Sequence, residues 1–348
     1  MSKSIQTGIA SFGMSGMVFH GPLLQAHSGF EIRSILERSH DRSKGLYPKS
    51  KIVRNFADLC QDADIELIIV NTPDHTHYEL TRQALQAGKH VVVEKPFTQT
   101  FTEAAELIEM AENNGLVLSV FQNRRWDGDF LTIGQVLQKK LLGRLTEFES
   151  HFDRFRNYVK EDTWKEDPAT GTGTLYNLGS HMIDQALILF GMPEGVTADI
   201  RMMRPGAKVD DSFDLHLRYT GLKVVVRGGY LVREAGPRYI LHGTEGSFLK
   251  WGLDPQEETL KQGNLPVGDN WGKEHQDDFG LLNTTIGDLH FRGRIETLPG
   301  NYSAYYDNIY RALRHGEALA VTARQGANVI RIIEAAYRSA RERRTISI

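Results

Sequence analysis

Apolar positions in the first third of the chain fall in short unbroken runs separated by helix-like stretches. Ile5 to Ala10, Phe30 to Leu36, Glu66 to Asn71, His90 to Glu94 and Leu116 to Phe121 read as strands, with Leu67-Ile68-Ile69-Val70 and Val91-Val92-Val93 at two of their centres. Between them, Met17 to Ala26, a stretch around Phe56 to Cys60, His77 to Ala87 and Phe101 to Asn114 read as helices. The last two are closed by Gly88 and Gly115, the residue type that ends helices without steric cost. A strand that is apolar at every position has both faces covered, which implies a parallel sheet between helices. The pattern predicts a doubly wound (Rossmann) dinucleotide-binding domain over residues 1–121.

After Gln122 the period changes. Leu145 to Phe155, Val196 to Met203, Phe213 to Tyr219, Lys223 to Tyr230, Arg238 to His242 and Ser247 to Trp251 alternate apolar and polar residues, as strands with one covered face do. Asn177 to Phe190, Ser303 to His315 and Ala323 to Glu342 read as helices beside them, and Leu253 to Arg294 reads as loop with little regular structure. The expected second domain, 122–348, is α+β, with helices beside an antiparallel sheet that has one covered face.

Composition narrows the class. The 348 residues include 41 basic and 44 acidic side chains, a formal net charge of -3. That balance gives no reason to expect nucleic acid or a membrane surface as partner. Cys60 is the one cysteine, so no internal disulfide is available and the fold does not call for an oxidising compartment. The polar start, Met1 to Thr7, lacks the apolar core of a signal peptide, and cytoplasmic residence is the expectation.

Candidate chemistry gathers at the strand ends. Ser11-Phe12-Gly13-Met14-Ser15-Gly16 occupies the first strand–helix junction, where backbone N–H groups and a helix N-terminus can face a pyrophosphate. Gly13 gives room to the phosphates and Gly16 to helix–strand packing, while Ser11 stands where the usual fingerprint has its first glycine. Glu37, at the end of the second strand, can accept the ribose hydroxyls of NAD. Arg38, Ser39, Arg42 and Lys44 follow at once and suit the 2′-phosphate of NADP. The reading leans to NAD with NADP as rival. The loop Asn71-Thr72-Pro73-Asp74, with His75 and His77, is expected to line the cofactor, and no metal-ligand spacing accompanies the two histidines.

Glu94-Lys95-Pro96 follows a strand whose carboxyl end should border the ligand crevice, which places Lys95 to polarise a substrate oxygen. The segment Gly171 to His181 is rich in glycine and leads into a helix. Asn177, His181 and Asp184 share one face of that helix, and His181 is the natural group to exchange a hydroxyl proton. Asp184 either orients His181 or serves as an internal acceptor.

With these residues the chain resembles the Gfo/Idh/MocA family, named for glucose–fructose oxidoreductase and inositol dehydrogenase. The resemblance runs nearly end to end, through Ser11 to Gly16, Thr72-Pro73 with His77, Glu94-Lys95-Pro96 and Gly171 to Asp184. Asn123 to Thr132, Ser150 to Arg156 and Leu253 to Glu257 are similar to the subgroup containing bacterial scyllo-inositol dehydrogenases, several of which prefer NADP. The resemblance implies an NAD(P)-dependent dehydrogenase acting on a cyclic polyol or sugar, with Lys95 and His181 catalytic. It implies that residues 122–348 form an α+β domain with a large, open, mostly antiparallel sheet that carries substrate binding, catalysis and oligomerisation, with a dimer or tetramer joined through that sheet. Trp164-Lys165 resembles a segment that packs near the nicotinamide. Gln122 joins the expected cofactor contacts; Arg124 and Tyr302 join Lys95, Asn177 and His181 as expected substrate contacts, and Tyr305 lies in the same region as Tyr302. Asn177 departs from the family, which has an aspartate four residues before the histidine. A carboxamide can hydrogen-bond a hydroxyl but cannot support an imidazolium by charge. Two other readings follow from the same residues. One is a regulator that senses the cofactor without turnover, and the other is a redox-neutral sugar enzyme holding its nicotinamide tightly.

Overall fold

The unbroken apolar runs form strands buried along their length. In the computed structural model, which describes residues 3–160, 163–167 and 172–348, they are β1 (Ile5–Ile9), β2 (Phe30–Leu36), β3 (Lys51–Val53), β4 (Leu67–Val70), β5 (His90–Val93) and β6 (Leu118–Val120). All pair in parallel, in the order β3-β2-β1-β4-β5-β6. Every residue of β4 and Val91 to Val93 of β5 are fully buried, the cost and the reward of a sheet covered on both faces. Strand order reverses between β1 and β4, and the carboxyl ends of those two strands are where such a sheet binds ligands. Helices α1 (Gly21–Ala26), α2 (Phe56–Gln61), α3 (His77–Gln86) and α4 (Phe101–Asn113) make the crossovers. Thr100 caps α4, accepting from the Glu103 N–H in a reciprocal capping box.

The alternating segments form the second sheet. The strands are β7 (Leu145–Asp153), β8 (Gly195–Arg201), β9 (Ser212–Tyr219), β10 (Leu222–Gly229), β11 (Tyr239–Gly243), β12 (Gly246–Lys250), β13 (Gly280–Ile286), β14 (Leu289–Ile295) and β15 (Ile346–Ser347). Their order is β14-β13-β12-β11-β7-β10-β9-β8-β15, antiparallel throughout except that β7 and β10 run in parallel. Phe148, Ser150 and Phe152 are buried on β7 and alternate with half-buried Glu147, Glu149, His151 and Asp153. The remaining helices are α5 (Gly128–Gln138), α6 (Ser180–Phe190), α7 (Gln256–Lys261), α8 (Ser303–His315) and α9 (Ala323–Glu342). Phe190 of α6 meets Phe148 edge to face at 5.2 Å.

The chain divides into two compact units, and neither is one stretch of sequence. The first holds Met1–Asn123, Gln256–Trp271 and Asn301–Ala327; the second holds Arg124–Pro255, Gly272–Gly300 and Asn328–Ile348.

One expectation needs correction. The segment from Leu253 to Arg294 is not loop, because it contains α7 and the β13–β14 hairpin. β14 lacks the alternation that marks the other strands. Leu289 to Arg292 of β14 are exposed on both faces, so burial imposes no pattern on them. Seven residue pairs of the ladder hold it instead, from Gly280 with Ile295 to Ile286 with Leu289. Gly287-Asp288 is the two-residue turn, with Gly287 at φ +60°, and that dipeptide between β-prone runs is the signal in the sequence. The short strand β3 and helix α5 also lay outside the periodic reading. In α5 the buried residues Phe130, Ile133 and Val136 recur every three positions, a stripe too brief to stand out.

Candidate active site

Each unit carries part of the candidate chemistry and is described by itself. In the first, β1 ends in the turn Ser11 to Gly16, and the chain enters a π-helical turn, Gly16–His20, that continues into α1. A Cβ at Gly16 would lie 2.2 Å from the Ser11 carbonyl oxygen and 2.9 Å from Nδ2 of Asn71. Glycine there is forced by close approach. Gly13 differs: a Cβ would meet only Ser11 Oγ, at 3.6 Å, so the protein itself leaves that space open. Ser11 is not among the residues with positive φ, and the turn therefore does not need a glycine at that position. Asn71 stitches the turn together, donating from Nδ2 to the Ser11 carbonyl at 2.8 Å and to Ser15 Oγ at 3.3 Å. Its Oδ1 is buried with no partner. Phe12 is buried and packs edge-on against Tyr47.

Glu37 sits differently from the expectation. It is buried, and its oxygens already accept within their own loop: Oε1 from the Ser43 N–H at 2.8 Å and the Ser43 hydroxyl at 2.5 Å, Oε2 from the Arg42 N–H at 2.9 Å. Burial raises the carboxyl, but the hydrogen bonds from Ser43 and Arg42 outweigh it and hold Glu37 below the ordinary carboxylate value. Arg54 closes the same loop by donating to the Glu37 and His40 carbonyls and pairing with Asp41. Arg38, Arg42 and Lys44 stand exposed around it.

The next two strand ends are joined by a histidine. His77 is fully buried, with Nδ1 2.8 Å from the Pro96 carbonyl oxygen and Nε2 2.9 Å from that of Thr72. It links the Thr72-Pro73 loop to the Lys95-Pro96 loop, while His75 is exposed. Lys95 is half-buried. Its backbone N–H donates to Glu94 Oε2 at 3.1 Å, and Glu94 Oε1 lies 3.0 Å from His20 Nε2. Burial pushes the Glu94 carboxyl up, yet the His20 hydrogen bond and the charges of His20, Lys95 and His77 bring it below its ordinary value. Gln122 is buried, its N–H bonded to the Val120 carbonyl. Tyr302 is fully buried, with its N–H on Gln256 Oε1 at 2.7 Å and its ring beside Phe19. Tyr305 is also buried, its hydroxyl 2.8 Å from Ser119 Oγ.

In the second unit, Thr174 leads into another π-helical turn, Leu175–Gly179, that runs into α6. Asn177 is half-buried and His181 buried; four residues apart across that junction, they share a face. Asp210 anchors the start of this helix. Its carbonyl accepts the Thr174 N–H at 2.9 Å, its Oδ2 the Leu175 N–H at 2.8 Å, and its Oδ1 the Tyr337 hydroxyl. Gly173, at φ +141°, is what lets Asp210 approach, since a Cβ would stand 2.1 Å from its Oδ1. Burial raises the Asp210 carboxyl despite these bonds.

Asp184 is the internal acceptor of the two alternatives. Arg125 Nε and Nη2 reach its two oxygens at 2.7 and 2.6 Å, a bidentate pair with both side chains buried. Gln185 Nε2 donates to the Arg124 carbonyl at 2.8 Å, and Gln185 Oε1 accepts from the Tyr239 hydroxyl at 2.8 Å. Arg124 and Arg125 are thus bound to α6 by two adjacent residues. The Arg124 guanidinium pairs with Asp127 at 3.2 Å and lies 5.5 Å over the Phe152 ring. Trp164 is half-buried in a short 3₁₀ turn. Gly171 and the side chain of Lys165 lie outside the described residues. Among those residues, no helix is long and apolar enough to cross a membrane, and no group of three or more His, Cys, Asp or Glu is placed to hold a metal.

Sequence comparison decides what these parts belong to. Residues 5–122 match the family model for the oxidoreductase family NAD-binding Rossmann fold, and residues 135–348 match that for the oxidoreductase family C-terminal alpha/beta domain. The chain belongs to the Gfo/Idh/MocA family. It is 43% identical over 345 residues to the scyllo-inositol 2-dehydrogenase (NADP(+)) IolW of Bacillus subtilis, covering 99% of this chain and 96% of that one. It is 41% identical over 348 residues to the oxidoreductase YdgJ of Escherichia coli, at full coverage of both. A crystal structure of an oxidoreductase from Bacillus cereus superposes with a TM-score of 0.91 at 33% identity, over 99% of each chain.

As a Gfo/Idh/MocA protein the chain is an NAD(P)-dependent oxidoreductase, and its own turn fits a dinucleotide. The open space at Gly13 leaves room for a pyrophosphate at the end of β1, and beside the turn Asn71 Oδ1 is a buried polar atom with no protein partner. Sequence reading missed His20, Asn71, Tyr306 and Asp210. His20 sat inside an apolar helix pattern and looked like any core residue. Asn71 was seen only as part of a loop, and the contacts of Tyr306 and Asp210 come from far along the chain.

Two outcomes follow for stability and binding. Asp184→Ala removes the bidentate carboxylate from a buried guanidinium and should cost about 3–5 kcal/mol; urea unfolding that moves by less than 1 kcal/mol would contradict the pairing as described. Gly13→Val should fold with a melting temperature near the parent's yet lose nucleotide affinity by at least about tenfold, because only the ligand needs that space. Gly16→Val should lower the melting temperature itself. Titration calorimetry with both nucleotides and thermal melts separate the two glycines.

Proposed function

We propose that the chain transfers a hydride between NADP and a secondary alcohol of an inositol-like cyclic polyol or sugar. The observation that carries the reading is full-length likeness to an NADP(+)-dependent scyllo-inositol 2-dehydrogenase, together with Lys95 just after β5 and His181 on α6. Bound at the first unit, an oxidised nicotinamide would supply the hydride acceptor for the carbinol carbon. His181 takes the hydroxyl proton, a task suited to imidazole near neutral pH. Lys95 hydrogen-bonds the reacting oxygen and stabilises the negative charge that develops there. Asn177 holds a neighbouring hydroxyl, and Arg124 contributes a further polar contact to the substrate. The turn Ser11 to Gly16 holds the pyrophosphate.

Cofactor choice turns on Glu37. A carboxylate offers about four lone-pair sites, and three are engaged by Ser43 and Arg42. Glu37 then organises a loop that displays Arg38, Arg42 and Lys44, the residue types that bind a 2′-phosphate. This arrangement favours NADP over the NAD that the sequence alone suggested.

A screen of inositols and aldoses with NAD and NADP, followed by absorbance of the reduced nicotinamide, tests the reading. Turnover should appear on an inositol and be greater with NADP; a parent enzyme that works only with NAD would refute the cofactor assignment. Arg38→Ala with Arg42→Ala should lower the ratio of NADP to NAD efficiency by roughly 10-fold or more, the scale of one charge-assisted hydrogen bond. On the best substrate, Lys95→Met and His181→Asn should each reduce kcat by roughly 100-fold or more, with nucleotide affinity nearly unchanged. Near-parental kcat in His181→Asn would end the proposed mechanism.

A further inference from the structure

A buried polar relay lies behind the Lys95 loop. His20 is fully buried, with Nε2 3.0 Å from Glu94 Oε1 and Nδ1 2.7 Å from the Tyr306 hydroxyl. Glu94 and Tyr306 are buried with it. One proton arrangement satisfies the set: Tyr306 donates to Nδ1, Nε2–H donates to Oε1, and Oε2 accepts the Lys95 backbone N–H. The surroundings are aromatic. The Phe121 ring centroid is 4.4 Å from that of His20, and Phe30 lies edge-on to Tyr306 at 5.5 Å. Three polar side chains in such a place are costly to desolvate, and apolar side chains of similar volume would pack there without that cost.

We infer that His20, held by Tyr306, is a positioning residue for Lys95, acting through Glu94 and tying the lysine to the phosphate-binding turn. His20 is the last residue of the π-helical turn that begins at Gly16. The helical turn entered from the phosphate-binding loop therefore ends on the carboxylate that fixes the Lys95 backbone. Any shift of the turn when a pyrophosphate seats against it is passed to Lys95 through two hydrogen bonds. The inference rests on the role proposed above for Lys95.

His20→Leu removes the donor to Glu94, while His20→Gln keeps an N–H near the position of Nε2. Tyr306→Phe removes a single hydroxyl and is the variant least disruptive to folding. The expected results are a roughly 10-fold or greater loss of kcat in His20→Leu, recovery of most of it in His20→Gln, and a loss of about 3- to 10-fold in Tyr306→Phe. Nucleotide Kd should stay within about threefold in all of them. A second readout needs no substrate: the rate at which acetic anhydride acylates Lys95, measured by peptide mass spectrometry with Lys223 as internal reference. Loosening Glu94 should raise the Lys95 rate at least about threefold in His20→Leu and in Tyr306→Phe. Parental kcat with parental acylation in folded Tyr306→Phe overturns the inference, as does equal loss in His20→Gln and His20→Leu. If the parent oxidises no polyol or sugar, the proposed function fails, and the acylation rates alone still decide for or against the relay.

Discussion

The space between Gly16 and the Ser11 carbonyl is the tightest constraint at the nucleotide end of the fold. At 2.2 Å it admits no Cβ, and everything at the end of β1 is arranged by that approach. The turn is narrow enough for Asn71 to span it with one carboxamide. The helix then starts with a π-helical turn, and that extra width carries the chain to His20, whose ring reaches Glu94. A larger residue at position 16 would move each of these groups in turn. Glycine at position 13 answers to a different demand, because no protein atom needs the room it leaves.

The second unit solves a similar problem by charge. The helix bearing Asn177 and His181 also begins with a π-helical turn, a form rare in proteins and often found at functional sites. Its first N–H groups are satisfied by Asp210, admitted by Gly173. One turn beyond His181, Asp184 grips Arg125. The histidine is thus carried on a helix pinned at its entry and again just after it, a rigid mount suited to the proton transfer proposed for it.

Much of this was legible in the chain. The first sheet was readable because burial on both faces leaves runs such as Val91 to Val93 with no polar interruption. Ser303 to His315 and Ala323 to Glu342 were readable because their apolar stripes are long. The turn after β1 was legible from glycine spacing, and so was the room at Gly13; the approach of Gly16 to the Ser11 carbonyl and Asn71 was not. The loop around Glu37 shows the limit most clearly: a carboxylate at the end of β2 suggests ribose, and only coordinates reveal that Ser43 and Arg42 occupy it. His20 and Tyr306 are 286 positions apart, and no local pattern connects them. The β13–β14 hairpin escaped because β14 buries almost nothing, leaving only the Gly287-Asp288 turn as its mark.

That hairpin also bears on how the molecule breathes. β14 has a single neighbour in the sheet, and its side chains from Leu289 to Arg292 are exposed. Almost nothing apolar resists its departure, so its backbone amides can exchange with solvent by local fraying, without global unfolding. Those of β5, fully buried between β4 and β6, cannot. Deuterium should enter β14 and the Val91–Val93 amides at opposite extremes of rate, and the exposed Gly287-Asp288 tip is open to a protease.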